Sequence, residues 1–433
     1  MIEIFASPDD YLQKLAGLEN TAGAVETVVS SIIAEVRQRG DAALREYSQR
    51  FDAVSPAEFR VSQEALEKAV AYMDPALKDV WIQAIDNVER FHQPQREESR
   101  LEFFEDGSIL GWKASPIDMV GVYIPGGTAV YPSSLIMNAV PAQIAGVPRI
   151  AVASPPGENG RPHDDILACC ALLNLEEVYA VGGAQAIAAL AYGTESIPRV
   201  YKITGPGNQY VAEAKRQVTG DVGIDSVAGP SEILILCAQP VETEYLVRDL
   251  LSQAEHDIEA RAVLITTDPD QAKAVAKRLE ALIPGLPRSE IISGSFARGS
   301  GIVLVQDLDA GVALVNQISP EHLELLTPDP FLDLNRIRNA GAIFLGPDTP
   351  EPVGDYFAGP NHVIPTGGRA RFSSPLGVAD FTKRSSVIRY SPQRLAREAK
   401  AICMFAEREQ LPAHAEAVRV RIDGAPPMDP GNT

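Results

Sequence analysis

From Asp118 onward the chain repeats one pattern: a short apolar run, a glycine-bearing loop, then a longer stretch with apolar residues at three- and four-residue spacings. VGVYIPGG leads into a helical run at 133–144. RIAVAS leads into DDILACCALLNL, EEVYAVGG into AQAIAALAYG, and RVYKITGPG into NQYVAEAKRQV. Strands alternating with helices of this length predict a parallel sheet with right-handed crossovers, here over residues 124–232. After Ser231-Glu232 a second series begins: ILILCA, a helix from Thr243, RAVLITT, a helix over 271–282, GIVLVQ, a helix through Val315, EHLELL, a helix near Leu332 and AIFLG. That predicts a second α/β sheet.

Before Asp118 the pattern differs. Residues 22–51 place apolar side chains at helical spacing, with Gly40-Asp41 as an interruption where a second helix starts at its cap. Residues 62–93 are helical again with a break near Pro75, and 101–113 alternate as a hairpin does, turning at Asp106-Gly107. Those helices bring no strands of their own, so they are expected to pack on the second sheet. The resulting division is an N-terminal segment (1–22), a discontinuous α/β domain (23–123 and 233–376), an inserted α/β domain (124–232) and a helical C-terminal appendage (377–433).

Composition narrows the partners. The formal charge of -20 opposes general attraction to nucleic acid or anionic membranes. No run approaches the ~18 apolar residues of a membrane span, and MIEIFASPDD lacks the basic and apolar parts of a secretory signal. A cytoplasmic protein acting on small molecules is expected. The cysteines Cys169, Cys170, Cys237 and Cys403 form no C-x-x-C pair, which predicts buried, reduced thiols.

Ligands of open α/β sheets sit beyond the carboxyl ends of the strands, so the loops IPGG, VGGAQ, TGPGN and AGPSE are candidate binding elements. None fits G-x-G-x-x-G; after Gly205-Pro206-Gly207, Tyr210 stands where the third glycine belongs. The helix from Thr243 ends in LSQAEHD. There Gln253 and His256, three residues apart, can reach one metal ion, with Glu255 and Asp257 adding negative field. Glu321-His322 opens a predicted strand, and a carboxylate beside an imidazole can activate water and move protons. Asp355 is expected on a rigid loop, with His362 seven residues on, while Glu409 and His414 lie in the appendage.

Taken together, YIPGG at 123–127, VGGAQAIAALAYGTE at 181–195, GPGN at 205–208, AGPSE at 228–232, LLSQAEHD at 250–257, SPEHLEL at 319–325, GDYFAGPNHVIPT at 354–366 and the Ala413-His414 pair resemble the histidinol dehydrogenases. The resemblance runs through nearly the whole chain. It implies two incomplete Rossmann-like parallel-sheet domains, one inserted in the other, with extended helical terminal segments crossing a homodimer. It also implies oxidation of L-histidinol to L-histidine in two NAD-dependent steps, with one zinc ion per subunit. By position, Gln253, His256, Asp355 and His414 would hold the zinc, His414 being donated by the partner subunit. Ser231, His322, His362 and Glu409 would surround the substrate together with those ligands, and Tyr123, Gln185 and Asn208 would contact NAD.

In that reading His322 takes the alcohol proton and Glu321 activates water against the aldehyde. Two departures stand out: Ser226 where relatives commonly have methionine, and Gln410 in place of a frequent glycine. The alternative reading is a paralogous zinc and NAD dehydrogenase of another small alcohol, such as a sulfonated diol. The carboxylate of Glu409 favours a cationic substrate over an anionic one.

Overall fold

The structure is a computed structural model that describes residues 2–18, 23–126, 130–227 and 229–422. The chain forms two compact units: residues 1–96 with 117–381, and residues 97–116 with 382–433.

The first unit opens with β1 (Ile4–Phe5) and five helices: α1 (Pro8–Ala16), α2 (Gly23–Arg39), α3 (Asp41–Phe51), α4 (Gln63–Ala71) and α5 (Pro75–His92). Pro75 is the first residue of α5 and Asp74 caps it, so the proline marks a helix start. The hairpin strands β2 (Arg100–Phe103) and β3 (Ile109–Pro116) follow and belong to the second unit. Back in the first unit come β4 (Val120–Tyr123), α6 (Pro132–Ala145), β5 (Ile150–Ser154), α7 (Asp164–Leu172), β6 (Glu177–Ala180), α8 (Gly183–Tyr192), β7 (Lys202–Thr204), α9 (Gln209–Val218) and β8 (Gly223–Ile224). The strands lie in the order β6-β5-β4-β7-β8, all parallel.

The next stretch alternates β9 (Glu232–Cys237), α10 (Thr243–Ala254), β10 (Arg261–Thr266), α11 (Pro269–Leu282), α12 (Ser289–Arg298), β11 (Gly301–Leu304), α13 (Leu308–Ile318), β12 (His322–Leu326), α14 (Pro330–Asp333), β13 (Ala342–Leu345) and α15 (Glu351–Tyr356). With β1 added at one edge, the order is β1-β11-β10-β9-β12-β13, again all parallel. Both sheets are buried on two faces, which is why their strands read as continuous apolar runs such as ILILC and AVLIT.

One packing expectation is corrected. Helices α2 and α3 pack on α8 and α9, α4 on α7, and α5 on α6, so they cover the β4–β8 sheet and not the β9–β13 sheet. Helical periodicity shows that a face is apolar, and α2 buries Val29, Ile32, Ile33 and Val36, but it does not name what the face meets. The β9–β13 sheet is instead covered by helices from its own stretch of chain and by Tyr11, Leu12 and Leu15 of α1.

In the second unit, β14 (Thr382–Arg389) adds to the hairpin in the antiparallel order β14-β3-β2, followed by α16 (Pro392–Arg408) and α17 (Pro412–Ile422). The start of the tail is therefore a strand, where a helix was expected. TKRSSVIR has only Val387 and Ile388 as apolar residues and is mostly exposed, so hydrophobic spacing carries no signal there. Among the described residues, no helix is long and apolar enough to cross a membrane.

Candidate active site

A cleft of about 460 Å³ lies within the first unit between the two sheets. The β4–β8 sheet presents the carboxyl ends of its strands, through Pro125 and Gly126 after β4 and residues 205–208 after β7. The other sheet meets the cleft with the amino ends of its strands: Ser231 precedes β9, Glu321 precedes β12 and His322 begins it. The expectation that ligand loops follow strands thus holds for one sheet only. Gly127 and Ala228, part of two of the predicted loops, lie outside the described residues.

The loop after β7 is held from both sides. Gly205 has φ of +112°, and a Cβ there would stand 2.0 Å from the carbonyl oxygen of Tyr123. Its N–H donates to Asp225 (2.8 Å), its carbonyl accepts from Lys215 Nζ (3.0 Å), and Lys215 and Asp225 form a buried ion pair. Asn208 then caps α9, its Oδ1 accepting from the N–H groups of Tyr210 and Val211. Tyr123 and Gln185 meet around the start of α8. The Tyr123 hydroxyl accepts the N–H of Gly183 at 3.0 Å, and Gln185, 1% exposed, has an Nε2 without a hydrogen-bond partner. Burial pushes the Tyr123 phenol up to about 12, so it remains neutral.

On the opposite wall, α10 ends at Ala254, with Gln253 buried in its last turn and His256 exposed just beyond. The Gln253 side-chain oxygen is buried without a hydrogen-bond partner, an arrangement that costs free energy unless something positive completes it. Asp355 lies on the short helix α15, where a loop was expected. Its carbonyl accepts from His362 Nδ1 at 2.9 Å, and His362 Nε2 is 3.4 Å from Ser134 Oγ. Gln253, His256, Asp355, His362 and Ser231 all line the cleft.

His322 and Glu321 are buried beside them. His322 Nδ1 lies 2.9 Å from the Glu232 carbonyl, so Nδ1 carries the proton and Nε2 keeps its lone pair. Burial, helped by the nearby His362 and His256, holds the imidazole below its ordinary range against the opposing pull of Asp355. Glu321 accepts the Glu232 N–H at 2.8 Å. Burial first, then the carboxylates of Glu232, Asp355 and Glu351, pushes it well above the usual range.

Glu351 is the residue that the sequence pattern does not single out. It opens α15, is 3% exposed, and offers a ligand atom within 4.8 Å of those of His322 and Asp355. Burial and the neighbouring Asp355 push it up to about 8. TPEPVGD contains no histidine or cysteine to draw attention; only the helical spacing of Glu351 and Asp355 would have paired them.

Glu409 and His414 stand in the second unit, lining a groove with Phe405 and Leu411. Between them Gln410 has φ of +61°, and Leu411 N–H bonds to the Ala406 carbonyl. This left-handed helix end is where glycine is at ease, which accounts for the glycine expected at that position.

An amide oxygen, an imidazole and carboxylates around one cleft suit zinc. The orphaned oxygen of Gln253 fits such an ion, and the carboxylates of Glu351 and Asp355 line the same cleft and converge beside His322. The cysteines take no part, since all four are free and buried.

The chain is similar to known proteins over most of its length. The family profile described as histidinol dehydrogenase matches residues 17–422. A histidinol dehydrogenase of Geobacillus kaustophilus is 50% identical over 395 residues, covering 91% of this chain and 93% of that one. One from Listeria monocytogenes is 48% identical over 405 residues, covering 93% and 94%. The crystal structure of histidinol dehydrogenase from Elizabethkingia anophelis superposes with a TM-score of 0.91 at 33% identity, covering 98% of each chain. The chain belongs to the histidinol dehydrogenase family, and it is an oxidoreductase with an α/β fold of parallel sheets.

Proposed function

We propose that this enzyme oxidises L-histidinol to L-histidine through histidinaldehyde, in two successive hydride transfers to NAD, as a step of histidine biosynthesis in the cytoplasm. The carrying observation is the buried Glu321-His322 pair at the start of β12, facing a cleft that Gln253, His256 and Asp355 also line. Zinc bound there would orient the substrate's nitrogens and add positive charge, and NAD would accept the hydrides. Gln253, His256 and Asp355 would hold the metal, with His414 of the partner subunit in a homodimer whose sites are shared.

His322, neutral and with a free Nε2, takes the proton of the alcohol as hydride leaves the same carbon. Glu321 then takes a proton from the water that adds to the aldehyde, and the resulting hydrate loses the second hydride. For that role Glu321 must be ionised, and positive charge bound in the same cleft favours the ionised form. Ser231, His362 and Glu409 would surround the substrate. Tyr123, Gln185 and Asn208 would contact the cofactor.

The test is stoichiometric: NADH formed per histidinol consumed, before and after chelation. Two NADH per histidinol, abolished by chelator and restored by zinc, is expected. Oxidation of dihydroxypropanesulfonate with no turnover of histidinol would overturn the reading.

A further inference from the structure

Lys215 is the one buried lysine among the described residues, 2% exposed, and it stands on α9 opposite Asp225, which directly follows β8. Their ion pair is closed off from water on both sides. Burying two charges costs desolvation that apolar residues of similar volume would avoid, so the pair needs a use beyond cohesion. It makes two contacts that apolar side chains cannot make. Both polar backbone groups of Gly205 go to it: the N–H to Asp225 at 2.8 Å and the carbonyl to Lys215 Nζ at 3.0 Å. The Asp225 carboxylate also accepts the Ser226 N–H at 2.6 Å, and the Asp225 N–H bonds to the Ile203 carbonyl of β7 at 3.2 Å. The hold on Gly205 is therefore anchored to the sheet itself. It sets how the chain leaves β7, three residues before Asn208, and Gly205, Pro206, Gly207 and Asn208 all line the cleft.

We propose that Lys215 and Asp225 are positioning residues for NAD: the buried ion pair grips the Gly205 peptide so that residues 205–208, with Asn208 at their end, present one fixed surface to the cofactor. The proposal rests on the NAD reading above. It separates the grip from the charge. Either single substitution would leave a buried ion without its partner and endanger folding, so both charges are removed together. Lys215→Met/Asp225→Asn has no buried charge and keeps an amide oxygen for the Gly205 N–H. Lys215→Met/Asp225→Leu is equally uncharged and keeps neither contact, leucine having the branching of aspartate with methyl groups in place of its oxygens.

The measurement is the dissociation constant for NADH, titrated calorimetrically into each full-length protein with zinc present, alongside its thermal midpoint and its steady-state kinetics. The Met/Asn variant should bind NADH within about fivefold of the parent, having lost one neutral-strength contact. The Met/Leu variant should bind about 10–100-fold more weakly, because the loop is no longer held in register with the cofactor. Its KM for NAD should rise more than its kcat falls. If the bulk of leucine prevents folding, alanine at position 225 makes the same comparison. A pair that merely supports the fold predicts that NADH affinity returns to the parent's once both charges are gone. That result in the Met/Leu variant, or a Met/Asn variant as weak as the Met/Leu one, overturns the inference alone. A parent that binds no NADH overturns the NAD reading, and this inference with it.

Discussion

At the scale of single residues, the chemistry is set by burial acting on a few polar side chains. Glu321 and His322 are neighbours, yet burial moves them in opposite senses, the carboxyl toward its neutral acid and the imidazole toward its neutral base. The separate roles proposed for them predict separate defects. Glu321→Gln should slow conversion of histidinaldehyde by about 100-fold or more while affecting alcohol oxidation less, and His322→Asn should do the reverse. Single-turnover rates with histidinol and with histidinaldehyde check this; an aldehyde rate at the parent level in Glu321→Gln would remove the role assigned to it. The sequence singles out this pair as a carboxylate beside a histidine after Ser319-Pro320, with a salt-bridged surface pair as an equal reading, and the structure buries both side chains. Glu324 and Glu351 are not singled out, because each looks like an ordinary polar position until β12 and α15 are brought together.

His92, at the end of α5, shows the same physics away from the cleft. It is fully buried, its Nδ1 donating to the Val88 carbonyl at 2.8 Å, and burial lowers its pKa despite hydrogen bonds that pull the other way. A folded pKa below the unfolded 6.5 means that the stability is present above pH 6.5 and lost as pH falls through the folded value, because the unfolded chain takes up the proton first. His92→Gln should therefore lose less of its thermal midpoint between about pH 7 and pH 5 than the parent does. Parallel slopes for the two proteins would assign the acid sensitivity elsewhere.

At the scale of elements, strands and long helices were readable from periodicity, and short elements were not. The runs ILILC, AVLIT and HLELL are buried throughout and stand out against their polar flanks. Helix α15 has six residues and β14 is mostly exposed, so neither leaves a hydrophobic period to read. The loops carry a sharper demand, which Gly205 illustrates. Its left-handed φ and the 2.0 Å approach to the Tyr123 carbonyl leave no room for a side chain. Gly205→Ala should cost about 1–3 kcal/mol in backbone strain alone, before the loop is forced off β4. The expected result is a lower thermal midpoint and a KM for NAD that rises more than kcat falls, since Asn208, proposed above to contact NAD, shifts with the loop. A variant with the parent's thermal midpoint and kinetics would mean that the loop can move at no cost.

At the scale of the whole molecule, the sequence pattern gave two sheets but misassigned the helices that cover them, because an apolar face does not say what it faces. The same limit applies to the tail. His414 stands on α17 of the second unit, and its neighbour Ala415 is fully buried against Cys403 of α16, so the helical pair has a small core of its own. The proposed homodimer gives His414 a use in the neighbouring subunit's site, and mixing two inactive variants tests it. His256→Ala removes a ligand from the chain's own site, and His414→Ala removes one that the chain would donate. In a hybrid dimer of the two, one site lacks both ligands and the other lacks neither. Activity should then return on subunit exchange, to about half of the parent's per hybrid dimer if the sites act independently. Hybrids that form, as shown by mass-tagged subunits, yet remain inactive would place His414 in its own subunit's site or outside any site.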